Sequence, residues 1–295
     1  MSTQTTTYPQ TLFLTGSSSG FGEGAAKALA ARGHHVFATM RGVAGKNEDQ
    51  AAALRDWART EGHKLTVLEC DVTDDASVQA AVDAVLEEVD HLDVVIHNAG
   101  VGTWGVQEGF VPEQVQHLFN VNVVGPLRLN RAVLPHMRER GQGCVMYVSS
   151  GLGRLHIPFL GPYTASKHAL EAIAGVGHLE LRGLGIETAI LEPGAFGTGF
   201  LGNSILPQDT SALEQSPALK GFYEGFSGAF EAQARSGQLG DPQDVIDAMV
   251  TLVETKAGER PLRTVVGEDV RANVETINKA CDEVQGRIDA MFGLA

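Results

Sequence analysis

Three side chains in one stretch have the types and spacing for moving a proton: Ser150, Tyr163 and Lys167. Tyrosine and lysine four apart on a helix lie on one face, one turn from each other. A free tyrosine has a pKa of about 10, too high for a general base near neutral pH. A nearby ammonium favours the phenolate and lowers that value, which opens proton transfer to or from a substrate oxygen. Ser150 could hold the same oxygen through its hydroxyl. By itself Tyr-x-x-x-Lys more often marks an ordinary surface helix, so its surroundings decide its weight. The apolar run Cys144–Ser149 reads as a buried strand, and Tyr163-Thr-Ala-Ser-Lys167-His-Ala-Leu-Glu-Ala reads as the start of a helix.

A second constellation lies near the start. Thr11–Thr15 reads as a short strand, followed by Gly16-Ser-Ser-Ser-Gly20-Phe-Gly22, a helix to about Ala31 and a strand over 35–39. The glycines permit a tight turn that leaves backbone N–H groups aimed at an anion beside a helix N-terminus. Strand, turn, helix and strand make half of a dinucleotide-binding fold. Gly16, Ser18, Ser19, Gly20, Phe21 and Gly22 are therefore candidate cofactor contacts; the competing reading is a flexible loop. The second strand ends Thr39-Met40-Arg41, without the acid that would accept from a free adenosine ribose. Arg41 could instead pair with a 2′-phosphate, which favours NADP(H) over NAD(H); a plain surface arginine is the alternative. After a third strand, Asp71-Val72 stands where a carboxylate could meet the adenine amine. After a fourth, over 92–96, the small residues of Asn98-Ala99-Gly100 let the backbone close over a cofactor. His97 has no neighbouring ligand cluster, so no metal site is expected.

The elements that must hold these residues follow the same alternation. Residues 112–138 read as a long helix interrupted or bent near Gly125-Pro126. Asn122 within it could support a water or a backbone carbonyl near the site, or simply be exposed. Gly185–Leu191 reads as a sixth strand running into Pro193-Gly194-Ala195-Phe196-Gly197-Thr198, where Thr198 could contact a cofactor phosphate or carboxamide. Residues 199–240 break the alternation, yet Phe222, Phe226 and Phe230 recur at helical spacing. Asp241-Pro242-Gln-Asp244 is a good helix start, and Arg263–Val266 is the last strand. Val274, Ile277, Cys281, Val284, Ile288 and Met291 then form the seam of a helix that could cover its own domain or meet another subunit. The expectation is one α/β domain over 1–295, Rossmann-like and three-layered, with a seven-stranded parallel sheet. Its core covers 10–268, with a substrate lid over 196–240 and a C-terminal helical tail over 269–295.

Composition narrows the function classes. The 295 residues carry 22 basic and 36 acidic side chains, a net charge of −14, which disfavours nucleic acid and anionic membranes as partners. No apolar run approaches the roughly 20 residues that cross a bilayer. The opening residues lack a basic region followed by an apolar one, and Cys70, Cys144 and Cys281 form no ligand cluster. A reduced, cytoplasmic protein is expected.

The ordered set Thr15-Gly16-Ser-Ser-Ser-Gly20-Phe-Gly22, Asp71-Val72, Asn98-Ala-Gly100, Asn122, Ser150, Tyr163-Thr-Ala-Ser-Lys167 and Pro193-Gly194 with Thr198 resembles the short-chain dehydrogenase/reductase family over roughly residues 10–268. Val36-Phe-Ala-Thr-Met-Arg41 and Leu191-Glu-Pro-Gly194 resemble its branch of 17β-hydroxysteroid and retinol dehydrogenases. The resemblance implies that Tyr163 gives or takes the proton and that Lys167 lowers its pKa and binds the nicotinamide ribose. It further implies that Ser150 positions the substrate oxygen and that Asn122 supports a proton relay. Gly16–Gly22, Arg41, Asp71, Val72, Asn98–Gly100, Pro193, Gly194, Phe196 and Thr198 would hold the cofactor. His97 departs from the family, which usually has asparagine there. The lid and tail exceed its compact core, so the usual tetramer is open and a homodimer or homotetramer is expected.

Trp104, Leu155, Phe159, Phe200, Phe222 and Phe226, with Ser150, should border the substrate. They favour a bulky, largely apolar ketone or secondary alcohol, although these phenylalanines could also simply bury the lid. Two further readings share the same residues: an epimerase or dehydratase that retains its cofactor, and a non-catalytic nicotinamide-binding regulator. Binding alone would not require Ser150, Tyr163 and Lys167 together.

Overall fold

A computed structural model of the chain describes residues 9–197, 201–237 and 239–293. Among the described residues there are seven strands: β1 (Thr11–Thr15), β2 (His35–Met40), β3 (Leu65–Glu69), β4 (Val94–His97), β5 (Gly143–Val148), β6 (Ile186–Pro193) and β7 (Arg263–Val266). All pair in parallel, in the order β3-β2-β1-β4-β5-β6-β7. The helices between them are α1 (Gly20–Ala31), α2 (Glu48–Glu61), α3 (Asp75–Glu88), α4 (Pro112–Phe119), α5 (Gly125–Arg140) and α6 (Gly161–Leu181). Beyond β6 come α7 (Ser211–Gln215), α8 (Pro217–Arg235), α9 (Pro242–Glu254) and α10 (Glu268–Phe292).

Apolar residues in the inner strands explain the layers, because a strand buried on both faces sends successive side chains to opposite sides. Leu12, Leu14, Val36, Ala38, Cys144 and Met146 face one core with residues of α1, α2 and α9. Phe13, Phe37, Val95, Val145 and Tyr147 face the other, with α3, α5 and α6. Fully buried Phe13 and Phe37 each contribute roughly 1.5–3 kcal/mol relative to an exposed side chain. Gly24 lets α1 and α9 approach: a β-carbon there would lie 2.2 Å from Ile246 Cδ1.

The strand order reverses between β1 and β4, and in such sheets ligands bind at that switch point beyond the carboxyl ends. The glycine turn after β1, the turn after β4 and the segment after β5 all open there. The interruption expected near Gly125-Pro126 takes the form of a π-helical turn, Asn120–Val124, that separates α4 from α5. Gly125, which opens α5, leaves room for Val72: a β-carbon there would lie 3.1 Å from the Val72 side chain. Within 199–240, the stretch that breaks the alternation, lie α7 and α8, and α8 carries the helically spaced Phe222, Phe226 and Phe230. Backbone hydrogen bonds fasten this excursion at both ends, Trp104 to Ile205 and Ile205 to Gly102 at one, Gly240 to Ala195 at the other.

Candidate active site

Helix α6 starts with Pro162 in its first turn and carries Tyr163 at the edge of the crevice. The Tyr163 backbone N–H donates to Thr103 Oγ1 at 3.2 Å, tying the helix start to the loop after β4. One turn on, Lys167 Nζ lies 5.7 Å from the centroid of the Tyr163 ring and donates to the Val148 carbonyl at 2.9 Å. Ser150 acts on the Tyr163 phenol as a hydrogen-bonding neighbour that favours its ionised form. Ser150 Oγ also accepts from the Leu152 N–H at 3.1 Å and donates to the Pro193 carbonyl at 3.5 Å. All three side chains are buried.

Burial pushes the Tyr163 phenol up to about 12, with the Ser150 hydrogen bond opposing it. Burial pulls Lys167 down to about 8, against the field of Glu171. The expectation that the ammonium lowers the phenol is therefore corrected for the folded chain. Desolvation disfavours both charged forms, and the ammonium is spent on the Val148 carbonyl. At neutral pH the site presents a protonated phenol next to an ammonium, a state suited to giving a proton to a carbonyl oxygen.

Asn122 occupies the π-helical turn, a device that often marks functional sites. It is buried, contrary to the reading of an exposed mid-helix asparagine. Its Oδ1 accepts from the Val101 N–H and its Nδ2 donates to the Val101 carbonyl, both at 2.9 Å. Nδ2 also donates to Ser166 Oγ at 3.0 Å, and Ser166 Oγ donates to the Tyr163 carbonyl at 2.7 Å. Ser166, missed in the sequence, is signalled only by its place three residues after Tyr163.

The turn after β1 is shaped as a cradle. Gly16 has φ +72°, and a β-carbon on it would lie 2.7 Å from Ala99 Cα. At Gly22 a β-carbon would lie 2.2 Å from the Gly16 carbonyl oxygen and 2.5 Å from Asn98 Nδ2. Ser19, at the N-cap of α1, makes no side-chain cap hydrogen bond, so the first-turn amides keep their capacity for an anion. Ser18 is half-buried, and Ser19 and Gly20 are exposed. The residues present thus fit a pyrophosphate. Asn98 braces the cradle, its Nδ2 donating to the carbonyls of Thr15 at 2.9 Å and Gly16 at 3.0 Å. Thr15 Oγ1, a contact the sequence did not reveal, accepts from the N–H groups of Asn98 and Ala99 at 3.0 Å each. Gly100 lies close to Lys167: a β-carbon there would be 3.9 Å from Nζ.

His97 does not disturb these contacts. It points into the core, where Nε2 meets Asn130 Oδ1 at 2.8 Å and the ring stacks on Tyr147 at 4.8 Å. Burial lowers it to about 4, so it is neutral there.

Arg41 stands exposed after β2, and its charge reaches Asp71. Burial would raise the Asp71 carboxyl, but the Thr73 hydroxyl and N–H, with Arg41, hold it below its usual value. Asp71 Oδ1 accepts both Thr73 groups, at 2.7 and 2.9 Å, and is therefore not wholly free for an adenine. Val72 is buried beside Gly125. Glu69, unanticipated, accepts the Gly42 and Val43 N–H groups at 2.6 and 2.7 Å and closes the turn behind Arg41. Pro193 and Gly194 border Ser150, whereas the Phe196 ring packs edge-on against Phe21 in the core. Thr198 and Phe200 lie outside the described residues.

The expected substrate residues separate into two groups. Phe159 gathers Phe222, Tyr223 and Phe226 of α8 at ring distances of 5.0, 5.0 and 5.6 Å. Trp104 stacks on Phe226 at 6.1 Å and donates its indole N–H to Ser227 Oγ at 3.3 Å. No described residue of α8 is buried, and Phe222 is 54% exposed, so the helix rests on Trp104 and Phe159 without entering a core. Phe159 holds φ +66°, where a non-glycine residue is strained. Leu155 does not join this group: it packs on Val265, Val270 and Val274 at the C-terminal helix.

Residues 10–208 match the short chain dehydrogenase family. The chain belongs to that family. A 3-ketodihydrosphingosine reductase from Bacteroides thetaiotaomicron is 35% identical over 206 residues, covering 70% of this chain and 71% of the relative. Retinol dehydrogenase 8 of Homo sapiens is 32% identical over 255 residues, covering 84% of this chain and 78% of its own. Among solved structures, a short-chain dehydrogenase from Streptomyces avermitilis is 29% identical with a TM-score of 0.75, covering 98% of both chains. A gluconate 5-dehydrogenase from Burkholderia cenocepacia, in complex with NADP and tartrate, is 25% identical with a TM-score of 0.72 over 91% of this chain and 98% of its own. The family is one of oxidoreductases, and retinol dehydrogenases are among its relatives, as the segments at Val36–Arg41 and Leu191–Gly194 led us to expect.

Proposed function

We propose that the protein is an NADP(H)-preferring oxidoreductase that interconverts a bulky, largely apolar ketone and its secondary alcohol. The observation that supports this most is Lys167 one turn from Tyr163, its Nζ 5.7 Å from the phenol ring, with Ser150 on the neighbouring loop and all three buried at the carboxyl ends of the strands. When bound, the nicotinamide cofactor supplies or receives the hydride. The cradle of Gly16, Gly20 and Gly22 holds its pyrophosphate, Arg41 reads its 2′-phosphate, and Lys167 and the Asn98–Gly100 turn border its ribose. Ser150 orients the substrate oxygen, Tyr163 gives it the proton in the reducing direction, and Lys167 stabilises the phenolate that remains. Asn122, fixed on Val101 and Ser166, keeps the floor of the site in register.

The Phe159, Phe226 and Trp104 surface supports an apolar substrate, which gains roughly 25 cal/mol per Å² buried. The relatives named for 3-ketodihydrosphingosine and retinol, both largely hydrocarbon, support the same class. A homodimer or homotetramer, and a single domain including lid and tail, complete the reading. A series of ketones graded by size and polarity, assayed with NADPH, tests it. Efficiency is expected to rise as apolar bulk is added beside the carbonyl and then fall once the lid cannot close. A best substrate that is small and charged, with bulky apolar ketones inert, would overturn the substrate class.

A further inference from the structure

The C-terminal helix α10 reaches both loops that frame Ser150. On one side, Val270 lies against the turn that follows Ser150: a β-carbon on Gly151 would come within 2.9 Å of Val270 Cγ1. On the other, Asp269 accepts from the Ala195 N–H at 2.9 Å and fills the space beside Gly194, where a β-carbon would lie 2.1 Å from its Oδ1. Two turns later Asn278, itself buried, donates to Glu192 at 2.6 Å. Glu192 has no solvent exposure, and its second oxygen accepts from Arg154 Nε at 3.3 Å, on the loop of Ser150.

Asp269 and Asn278 therefore grip the chain on either side of Pro193. The Pro193 carbonyl is the oxygen that accepts the Ser150 hydroxyl, at 3.5 Å. That is long for an O–H···O bond, so the hydroxyl is lightly held and free to turn toward Tyr163 or a substrate oxygen. A carbonyl a few tenths of an ångström nearer would capture it. Apolar side chains could pack this helix as well as a buried carboxylate does, so the polar contacts contribute direction more than adhesion.

We propose that the first three turns of α10 are a positioning element of the active site, Asp269 and Asn278 setting the Pro193 carbonyl and through it the Ser150 hydroxyl against Tyr163. This rests on the roles given above to Ser150 and Tyr163. Asn278→Leu, similar in size and unable to donate, is expected to lower kcat by about ten- to a hundred-fold, the scale of a misplaced reacting group. NADPH affinity by calorimetric titration and KM for the ketone should stay within about two-fold, the pattern of a group felt only in the transition state. Asp269→Ala should also lower kcat, and Asp269→Asn, which keeps an acceptor for Ala195, should restore it. Ending the chain after Glu283 removes turns that make none of these contacts and should leave kcat unchanged. Full kcat in folded Asn278→Leu, or equal losses in Asp269→Ala and Asp269→Asn, would overturn the proposal. If Asn278→Leu does not fold, the exposed Asp269 pair decides alone. Tyr163→Phe separates the two levels: a fully active Tyr163→Phe protein means that the chemistry is wrong, whatever the tail does.

Discussion

Burial moves the two titrating groups of the site in opposite directions, Tyr163 up to about 12 and Lys167 down to about 8. The phenol thus stays protonated across the working range, and the ammonium is the group that changes. Lys167 carries its charge below about pH 8 and loses it above, so kcat/KM for ketone reduction should be level on the acid side and fall as pH rises past 8. A profile from pH 6 to 10 checks this, and in Lys167→Met the step should be absent. A step running the other way would contradict the assignment. Arg41 makes a second prediction. NADPH should bind more tightly than NADH, and Arg41→Ala should narrow the gap, read by titrating both cofactors. The Tyr-x-x-x-Lys spacing was legible in the sequence, but the direction of the phenol's shift was not. That direction depends on desolvation and on the Val148 carbonyl, which the fold brings from another element. His97 shows the same limit: its residue type departs from the family, yet the sheet turns its ring into the core and leaves the cradle to Asn98 and Thr15.

At the scale of elements, the strands and the helices between them followed from alternation and spacing, since each apolar run had a sheet face to fill. The glycine turn was legible for the same reason, and its geometry makes a firm prediction. Gly22→Ala places a β-carbon 2.2 Å from the Gly16 carbonyl, so the turn must open. Cofactor binding should be lost, and stability should fall by roughly 1–3 kcal/mol, the usual cost of overpacking. Urea unfolding and cofactor titration measure the two separately. A break near Gly125-Pro126 was legible, but its π-helical form, which buries Asn122, was not. Helix α8 was visible as a phenylalanine stripe, but what the stripe faces is set by Trp104 and Phe159 from distant segments. The seam of α10 divides. Val274 is wholly buried, while Cys281, Val284, Ile288 and Met291 are exposed, and the distal turns meet the body through Asp289, 3.5 Å from Arg182.

For the whole molecule, ending the chain after Glu283 removes exposed apolar residues and the Arg182–Asp289 ion pair, and should lower unfolding free energy at fixed subunit number by no more than about 1 kcal/mol. Denaturant melts, with light scattering to fix the subunit number, decide it; a large loss would mean that the distal turns are packed. The net charge of −14 sets the long-range field, and the described residues include no helix long and apolar enough to cross a membrane. Within that frame the parallel sheet delivers the glycine cradle, the Ser150 loop and α6 to one end, where α8 rests on Trp104 and Phe159 and α10 touches the loops at Gly151 and Gly194. The proposed function rests above all on net hydride transfer with Tyr163 as the proton donor. The direct measurement is the balance of NADPH consumed against alcohol formed from a bulky apolar ketone, for the intact protein and for Tyr163→Phe. We expect one NADPH oxidised per alcohol, and a variant that still binds NADPH but turns over about 10²–10⁴-fold more slowly. Product without net NADPH oxidation, or near-normal turnover by Tyr163→Phe, would contradict it.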